Sequence, residues 1–421
     1  MQHTIDIEKH GALGQPMADA IHTCVHCGFC LAACPTYQEL GQEMDSPRGR
    51  IVLMKEALEG KVDESQALPH VDQCLGCLAC EPACPSGVAY RDLISPFRAL
   101  VNGRRRRSAG ERLRRAMISN SLPYPGRFRL GARLGKIGKA LGPLVPAPFR
   151  PMLDLLPEKL PRKQTWPEVS PARGKQRGRV ALLIGCAQQV LDPDINTATI
   201  EVLNRNGIEV VIPEEQGCCG ALSWHVGDLP AAQRFAAANL DAFDGDGFDA
   251  IITNAAGCGS GLHEYHLILK GTELESRAEA FRHRVMDITT FLCQLDRLEP
   301  FPDTGRERVI AYHDACHLAN AQGIAIQPRD LLRRIPGVTL AELPDGHLCC
   351  GSAGTYNIDQ PEIAASLGAQ KADAILSVEP ELVATGNIGC LTQIRSHVAK
   401  KGRGIPIRHT VQVLRDAWAG A

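Results

Sequence analysis

Val180-Ala181-Leu182-Leu183-Ile184-Gly185-Cys186, followed 32 residues later by Cys218-Cys219-Gly220, decides the fold of this 421-residue chain, because the pattern it begins occurs twice. The first set is Cys186, Cys218, Cys219 and Cys258, with steps of 32, 1 and 39. The second is Cys316, Cys349, Cys350 and Cys390, with steps of 33, 1 and 40. The surroundings repeat as well. Apolar runs of strand length, at residues 180–184, 208–212 and 250–253, precede the first set. Runs at 309–311, 338–343 and 382–385 precede the second, and helical stretches such as 196–206 and 329–335 intervene. A self-similar period of this kind marks a duplication. Strands alternating with helices predict parallel α/β units. Each cysteine then follows the carboxyl end of a strand, where open α/β sheets place their ligands. Two halves with one thiolate-rich pocket each are expected, related by a pseudo-twofold.

Adjacent thiols such as Cys218-Cys219 and Cys349-Cys350 make a strained disulfide. Their side chains diverge, so both reach one centre only if the backbone turns sharply, which Gly220 and Gly351 permit. Four cysteines per half suffice for a [4Fe–4S] cluster. Zinc, a catalytic dithiol or an inert remnant in one half are the alternatives.

Upstream the cysteines change style. Cys24-x2-Cys27-x2-Cys30-x3-Cys34-Pro35 is the bacterial ferredoxin run, and Cys74-x2-Cys77-x2-Cys80-x3-Cys84-Pro85 repeats it. In such a run three thiolates wrap one cubane, and the fourth, turned away by the proline, ligates the other. The expected ligands are Cys24, Cys27, Cys30 and Cys84 for one [4Fe–4S] cluster, and Cys34, Cys74, Cys77 and Cys80 for the second. Gly28 and Gly76 would let the backbone approach the sulfides. Val25, Phe29, Leu31, Leu75 and Leu78 are expected to keep water off. Structural zinc is the alternative, but it generally uses two Cys-x2-Cys pairs set far apart. Residues 50–58 have helical periodicity, and Gly60 suits the helix end. A small helical domain wrapped round two cofactors follows.

The predicted class is therefore α+β and multidomain: a small α-helical ferredoxin-type domain, then a duplicated α/β domain with parallel sheets. The expected divisions are 1–100 for the di-cluster domain, 101–175 for a connector, and 176–304 and 305–421 for the two repeats. The connector is basic, with 18 Lys/Arg against 4 Asp/Glu, and carries ten prolines. The rest of the chain has 28 basic and 43 acidic residues, so the overall charge of −1 is a cancellation. Seventeen cysteines in a chain this long, opening Met1-Gln2-His3-Thr4-Ile5-Asp6 with no basic and apolar leader, argue against a secreted disulfide scaffold. No apolar run approaches transmembrane length.

The two Cys…Cys-Cys-Gly…Cys units resemble the cysteine-rich domain of the heterodisulfide reductases and their relatives. That family closes with Cys-x2-Cys; here Ala255 and Asn387 stand three residues before Cys258 and Cys390. The whole combination, with His26-Cys27-Gly28-Phe29-Cys30, Ser46-Pro47-Arg48-Gly49-Arg50-Ile51, Asn254-Ala255-Ala256-Gly257-Cys258-Gly259 and Gly386-Asn387-Ile388-Gly389-Cys390, resembles the iron–sulfur subunit of bacterial glycolate oxidase (glycolate dehydrogenase). The resemblance implies an electron-transfer subunit without catalytic residues of its own. Its partners would be two flavin-domain subunits that carry FAD and oxidise glycolate, and often D-lactate, to the 2-oxo acid. The acceptor would be a quinone or an equivalent. Two [4Fe–4S] clusters and one or two further clusters in the repeats are implied. So is peripheral attachment to the cytoplasmic face of the inner membrane through the complex, without signal peptide, transmembrane helix or nucleic acid. The absence of a Gly-x-Gly-x-x-Gly turn after a strand agrees that the flavin lies elsewhere. The iron–sulfur subunit of a glycerol-3-phosphate or lactate dehydrogenase complex, and a heterodisulfide-reductase-like thiol catalyst, are the alternative functions.

His225, His263, His313 and His317 lie near the cysteine sets, where each would hydrogen-bond a sulfide, move protons or simply sit in the core. Cys293 follows Phe291-Leu292 and is expected to be a buried inert thiol. Arg104-Arg105-Arg106-Arg107, with Arg112, Arg114 and Arg115, reads as a solvated helix face or a surface for acidic subunits or anionic lipid.

Overall fold

The computed structural model describes residues 1–140, 153, 156–157, 159–245 and 247–420; part of the expected connector, residues 141–152 above all, lies outside them. Five helices build the first region: α1 (Gly14–Thr23), α2 (Pro35–Leu40), α3 (Pro47–Leu58), α4 (Glu64–Asp72) and α5 (Arg91–Asn102). Their starts are chemically marked. The Ser46 hydroxyl accepts from Gly49 N at 3.0 Å with Pro47 in the first turn, and Asp63 accepts from Ser65 N at 2.8 Å. Buried Ile51, Met54 and Leu58 of α3 share a core with Met17 and Ile21 of α1 and Leu93, Ile94 and Phe97 of α5. Each such side chain contributes roughly 1.5–3 kcal/mol by leaving water. Two more helices follow, α6 (Ala109–Ser121) and α7 (Pro125–Ala140).

The repeats form two sheets. β1 (Val169–Ser170), β2 (Gly178–Leu183), β3 (Ile208–Val211), β4 (Ala250–Thr253) and β5 (Val285–Asp287) lie in the order β1-β3-β2-β4-β5. All pairs are parallel except β1 with β3. The second sheet has β6 (Arg308–His313), β7 (Val338–Glu342), β8 (Leu382–Thr385) and β9 (Ile407–His409) in the order β7-β6-β8-β9, all parallel. Apart from β1 the two orders are the same, which is the expected duplication. In each, the first strand of the unit sits between the second and third, so the chain reverses direction across the sheet there, the switch point where such folds open a crevice. Val180, Ala181, Leu182 and Leu183 are all buried because helices cover both faces.

The halves share one core: Val180 and Leu182 belong to the same cluster as Ile310 and Val383. Helices α8 (Asp194–Arg205) and α9 (Thr410–Trp418) pack across the joint, where Arg415 donates to both carboxylate oxygens of Asp194 at 2.7 and 2.9 Å. Helix α5 ties the first region to both halves. Arg91 pairs with Glu81 and donates to Ala321 O at 2.9 Å, while Arg98 donates to His225 O at 3.1 Å and to Cys74 O at 2.6 Å.

Most of the arginine run is paired, while Arg104, Arg106 and Arg112 are exposed. Arg104 pairs with Glu64, Arg105 with Asp72, Arg107 with Glu111 and Arg114 with Asp359, while Arg115 donates to Val226 O. Arg114 and Arg115 fasten α6 to the two repeats. Cys293 is half-buried rather than buried, and its thiol faces Gln327 O at 3.6 Å.

Candidate metal centres

All seventeen cysteines are free thiols. The two tight runs form loops with the same backbone course. In the first, the residues two and four beyond Cys24 have positive φ: His26 (61°) and Gly28 (90°). In the second, Gly76 (64°) and Leu78 (59°) occupy the same places. The left-handed conformation is thus required twice per loop, and each loop meets it once with glycine and once with a strained residue. At Gly28 a Cβ would also lie 2.7 Å from Arg48 Nη1, so that side chain would have to shift.

Cys24, Cys27, Cys30, Cys80 and Cys84 line a single cavity. Burial pushes the Cys30 thiol up to about 11, and neighbouring Cys24 and Cys34 add to the rise. Around the other set, burial raises Cys80 further, reinforced by Cys77, Cys74 and Cys34. Cys34, Cys74, Cys77 and Cys80 are thus brought within one electrostatic neighbourhood.

Arg50 answers that crowding. It is buried on α3, donates to Thr36 Oγ1 at 2.9 Å and to His70 O at 2.7 Å, and lies 3.9 Å from Cys34 Sγ. Its Nη2 is buried without a hydrogen bond, 3.5 Å from Asp45. Burial acts to raise the Cys74 thiol, but the charges of Arg50 and Arg98 outweigh it and the net shift is downward. A buried guanidinium beside Cys34 and Cys74 suits an anionic thiolate-bound cluster. The donor sets therefore fit the group that the motif implies.

The hydrophobic shield is present over one loop only. Leu75 and Leu78 are buried, whereas Val25 and Phe29 are 67% and 68% exposed, Leu31 is half-buried and Cys27 is exposed. The expectation that Val25 and Phe29 exclude water is corrected: none of the described residues covers them. The second loop is covered by the second repeat. Leu75, Cys77 and Ala79 share a cluster with Cys316, Cys349 and Tyr356. Asn320 Nδ2 donates to Cys77 O at 3.0 Å, Tyr356 Oη donates to Gln73 O at 2.8 Å, and His317 Nε2 lies 3.1 Å from Gly76 O.

Within each repeat the four cysteines converge. Cys186 Sγ and Cys218 Sγ are 3.6 Å apart, and Cys219 and Cys258 continue the chain of sulfur contacts. The turn that aims the adjacent pair inward has Gly220 at φ 78°, where a Cβ would meet Phe235 Cβ at 3.1 Å. In the second repeat Gly351 (83°) plays that part; a Cβ there would lie 2.6 Å from Ala364 O. Cys316, Cys349, Cys350 and Cys390 likewise touch in sequence, and all four are buried. Lys371 is buried beside them, donating to Asp345 O at 3.2 Å and Gly346 O at 3.3 Å. The Asn387 amide points at Cys390 Sγ at 3.5 Å.

The histidines divide. His225 and His317 meet edge to face at 5.1 Å in the seam between the first region and the repeats, and burial, the largest influence on each, holds both down at about 4. His263 is also held at about 4 by burial. His313 ends β6 inside the second pocket. Sequence reasoning passed over Arg50, Arg98 and Lys371. The Ser46–Ile51 motif contains Arg50, and an arginine on the buried face of a helix is the signal that was there to find.

Two cysteine-rich domain matches cover residues 180–263 and 310–395, and a 4Fe-4S dicluster domain match covers residues 20–88. The glycolate oxidase iron-sulfur subunit of Escherichia coli (strain K12) is 39% identical over 406 residues, 95% of each chain. The probable glycolate oxidase iron-sulfur subunit of Bacillus subtilis (strain 168) is 36% identical, over 94% of this chain and 93% of its own. Among solved structures, a hypothetical protein from Helicobacter pylori aligns with a TM-score of 0.50 at 9% identity, over 97% of this chain and 72% of its own, which speaks for the fold alone.

Proposed function

The chain belongs to the family of glycolate oxidase iron–sulfur subunits, and we propose accordingly that it relays electrons from FAD on two flavin-domain partner subunits, which oxidise glycolate and D-lactate, to a quinone or equivalent acceptor. We assign Cys24, Cys27, Cys30 and Cys84 to one [4Fe–4S] cluster and Cys34, Cys74, Cys77 and Cys80 to the second. Cys186, Cys218, Cys219 and Cys258, and Cys316, Cys349, Cys350 and Cys390, are assigned to one further centre in each repeat. Bound clusters supply one-electron storage with little rearrangement, which turns a two-electron oxidation into single transfers.

The observation that carries this reading is the contact of Cys77 with Cys316 and Cys349. It gives the donor sets a direction. The exposed Cys27 loop, with Val25 and Phe29 around it, is the face where a partner subunit docks and electrons enter. The buried Cys74–Cys80 loop hands on to the second repeat. Arg50, Arg98 and Lys371 offset the negative charge of the sites they adjoin.

Peripheral membrane association has its own support. Helices α6 and α7 expose Leu113, Met117, Leu130, Leu134 and Ile137, apolar residues at helical spacing. Beside them a cleft is lined by Arg129, Arg133, Lys136, Lys159, Arg162 and Lys163. Apolar side chains next to clustered cations suit an anionic bilayer surface. Among the described residues no helix is long and apolar enough to cross a membrane.

The test is iron and acid-labile sulfide per chain in the complex purified without oxygen. About 16 irons, four per cluster, is expected; about 8 would empty both repeats, and far fewer with abundant zinc would sink the assignment. The isolated chain should not oxidise glycolate with an artificial acceptor.

A further inference from the structure

The two repeats are not chemically equivalent. Cys186 and Cys316 are matched by the duplication, and the residue three before each ends the central strand of its sheet: Leu183 in the first, His313 in the second. Leu183 is a buried hydrocarbon packed with the core. His313 is 1% exposed, and its Nδ1 is buried with no hydrogen-bond partner. A buried imidazole nitrogen left unpaired keeps the penalty of leaving water uncompensated, so it calls for something the protein side chains do not supply. The ring lies beside sulfur: a ring nitrogen of His313 and the thiols of Cys350 and Cys390 all fall within 4.8 Å of one another, each residue buried. Cys350 is in turn linked through Cys349 to Cys316.

We propose that the metal centre of the second repeat is held by a mixed set, with His313 giving an imidazole nitrogen beside the thiolates of Cys350 and Cys390, while the centre of the first repeat is held by thiolates alone. The proposal rests on the assignment of a cluster to the second set made above.

The experiment uses the purified complex enriched in 57Fe, with a parallel preparation carrying 15N-histidine. Mössbauer spectra register every iron whatever its spin state. Wild type should show one iron component outside the range of cluster iron bound only by sulfur, and His313→Ala should lose it. Hyperfine spectra of the paramagnetic state should show a strongly coupled nitrogen that changes with the histidine label. Leu183→Ala, at the matching position, should leave that component in place. His313→Cys, which restores a soft donor, should keep the iron count and return the component to the all-sulfur range, and this separates lost ligation from misfolding. Full iron content with only all-sulfur cluster iron in wild type would overturn the proposal and leave the cluster assignment standing. About 8 irons per chain would overturn both. One zinc per chain that His313→Ala releases would keep the histidine ligation and remove the cluster assignment.

Discussion

The two ferredoxin-type loops have the same cysteine spacing and the same pair of left-handed residues, yet one faces solvent and the other is sealed. Nothing within either loop accounts for that. The second is covered because Cys316, Cys349 and Tyr356, more than 230 residues further along the chain, pack on Leu75, Cys77 and Ala79. A duplicated motif thus acquires two roles through what is laid over it: an open loop suits exchange with another chain, a covered one suits exchange within this chain.

The largest effect that tests this contrast is the order of iron loss. A chelator with mild oxidant should strip the iron at the Cys27 loop at least about tenfold faster than the iron at the Cys77 loop, because only the former is open to solvent. Biphasic release followed by optical bleaching is the readout; a single phase would erase the distinction.

Paired truncations come next. Leu75→Ala should cost about 2–5 kcal/mol of unfolding free energy, since its side chain is buried under the second repeat. Phe29→Ala, at the exposed position, should move stability by less than about 0.5 kcal/mol. It should instead weaken assembly with the flavin subunits by about 2 kcal/mol, as loss of an interfacial aromatic does. Denaturation midpoints and titration of the complex measure the two quantities, and equal effects of both substitutions would contradict the contrast.

An acid titration probes the seam behind the covered loop. Burial, with the Arg98 charge, depresses His225 to about 4, below the ordinary 6.5. Between those values the unfolded chain binds the proton and the folded chain does not. This contribution to stability is therefore complete above about pH 6.5 and lost as pH falls toward 4. Denaturant midpoints across that window should drop, and His225→Gln should flatten the slope.

The smallest effect concerns the shared backbone. His26→Gly should stabilise the open loop by about 0.5 kcal/mol, the relief of a left-handed residue less the entropy that glycine brings. Leu78→Gly relieves the same conformation but gives up a buried side chain, so it should destabilise by about 2 kcal/mol. Opposite signs in calorimetry are the expected outcome.

Much of this architecture was readable from residue order. Apolar runs ending just before each cysteine located the strands, and the repeated steps located the matching sites in both sheets, because the chain has to turn at a strand's carboxyl end to bring side chains together there. The parts that stayed hidden depend on contact between distant segments. Val25 and Phe29 are apolar like Leu75 and Leu78, and no pattern local to residues 24–34 states whether another domain lies over them. Arg104, Arg105 and Arg114 looked like a free basic face because their acids, Glu64, Asp72 and Asp359, are remote in sequence. His313 was legible only as a histidine near a cysteine; its unpaired nitrogen belongs to the packed interior.

Arg91 and Arg98, reaching from one helix to Glu81, Cys74 O, His225 O and Ala321 O, tie the first region to both repeats. Many redox proteins deliver electrons by swinging a carrier domain between two docking positions. A chain riveted in this way works instead as a solid conductor: the tunnelling gap is set at folding and does not wait on diffusion. Internal transfer should then proceed at the same rate in viscous and in dilute solution, and only the encounter with partners should slow.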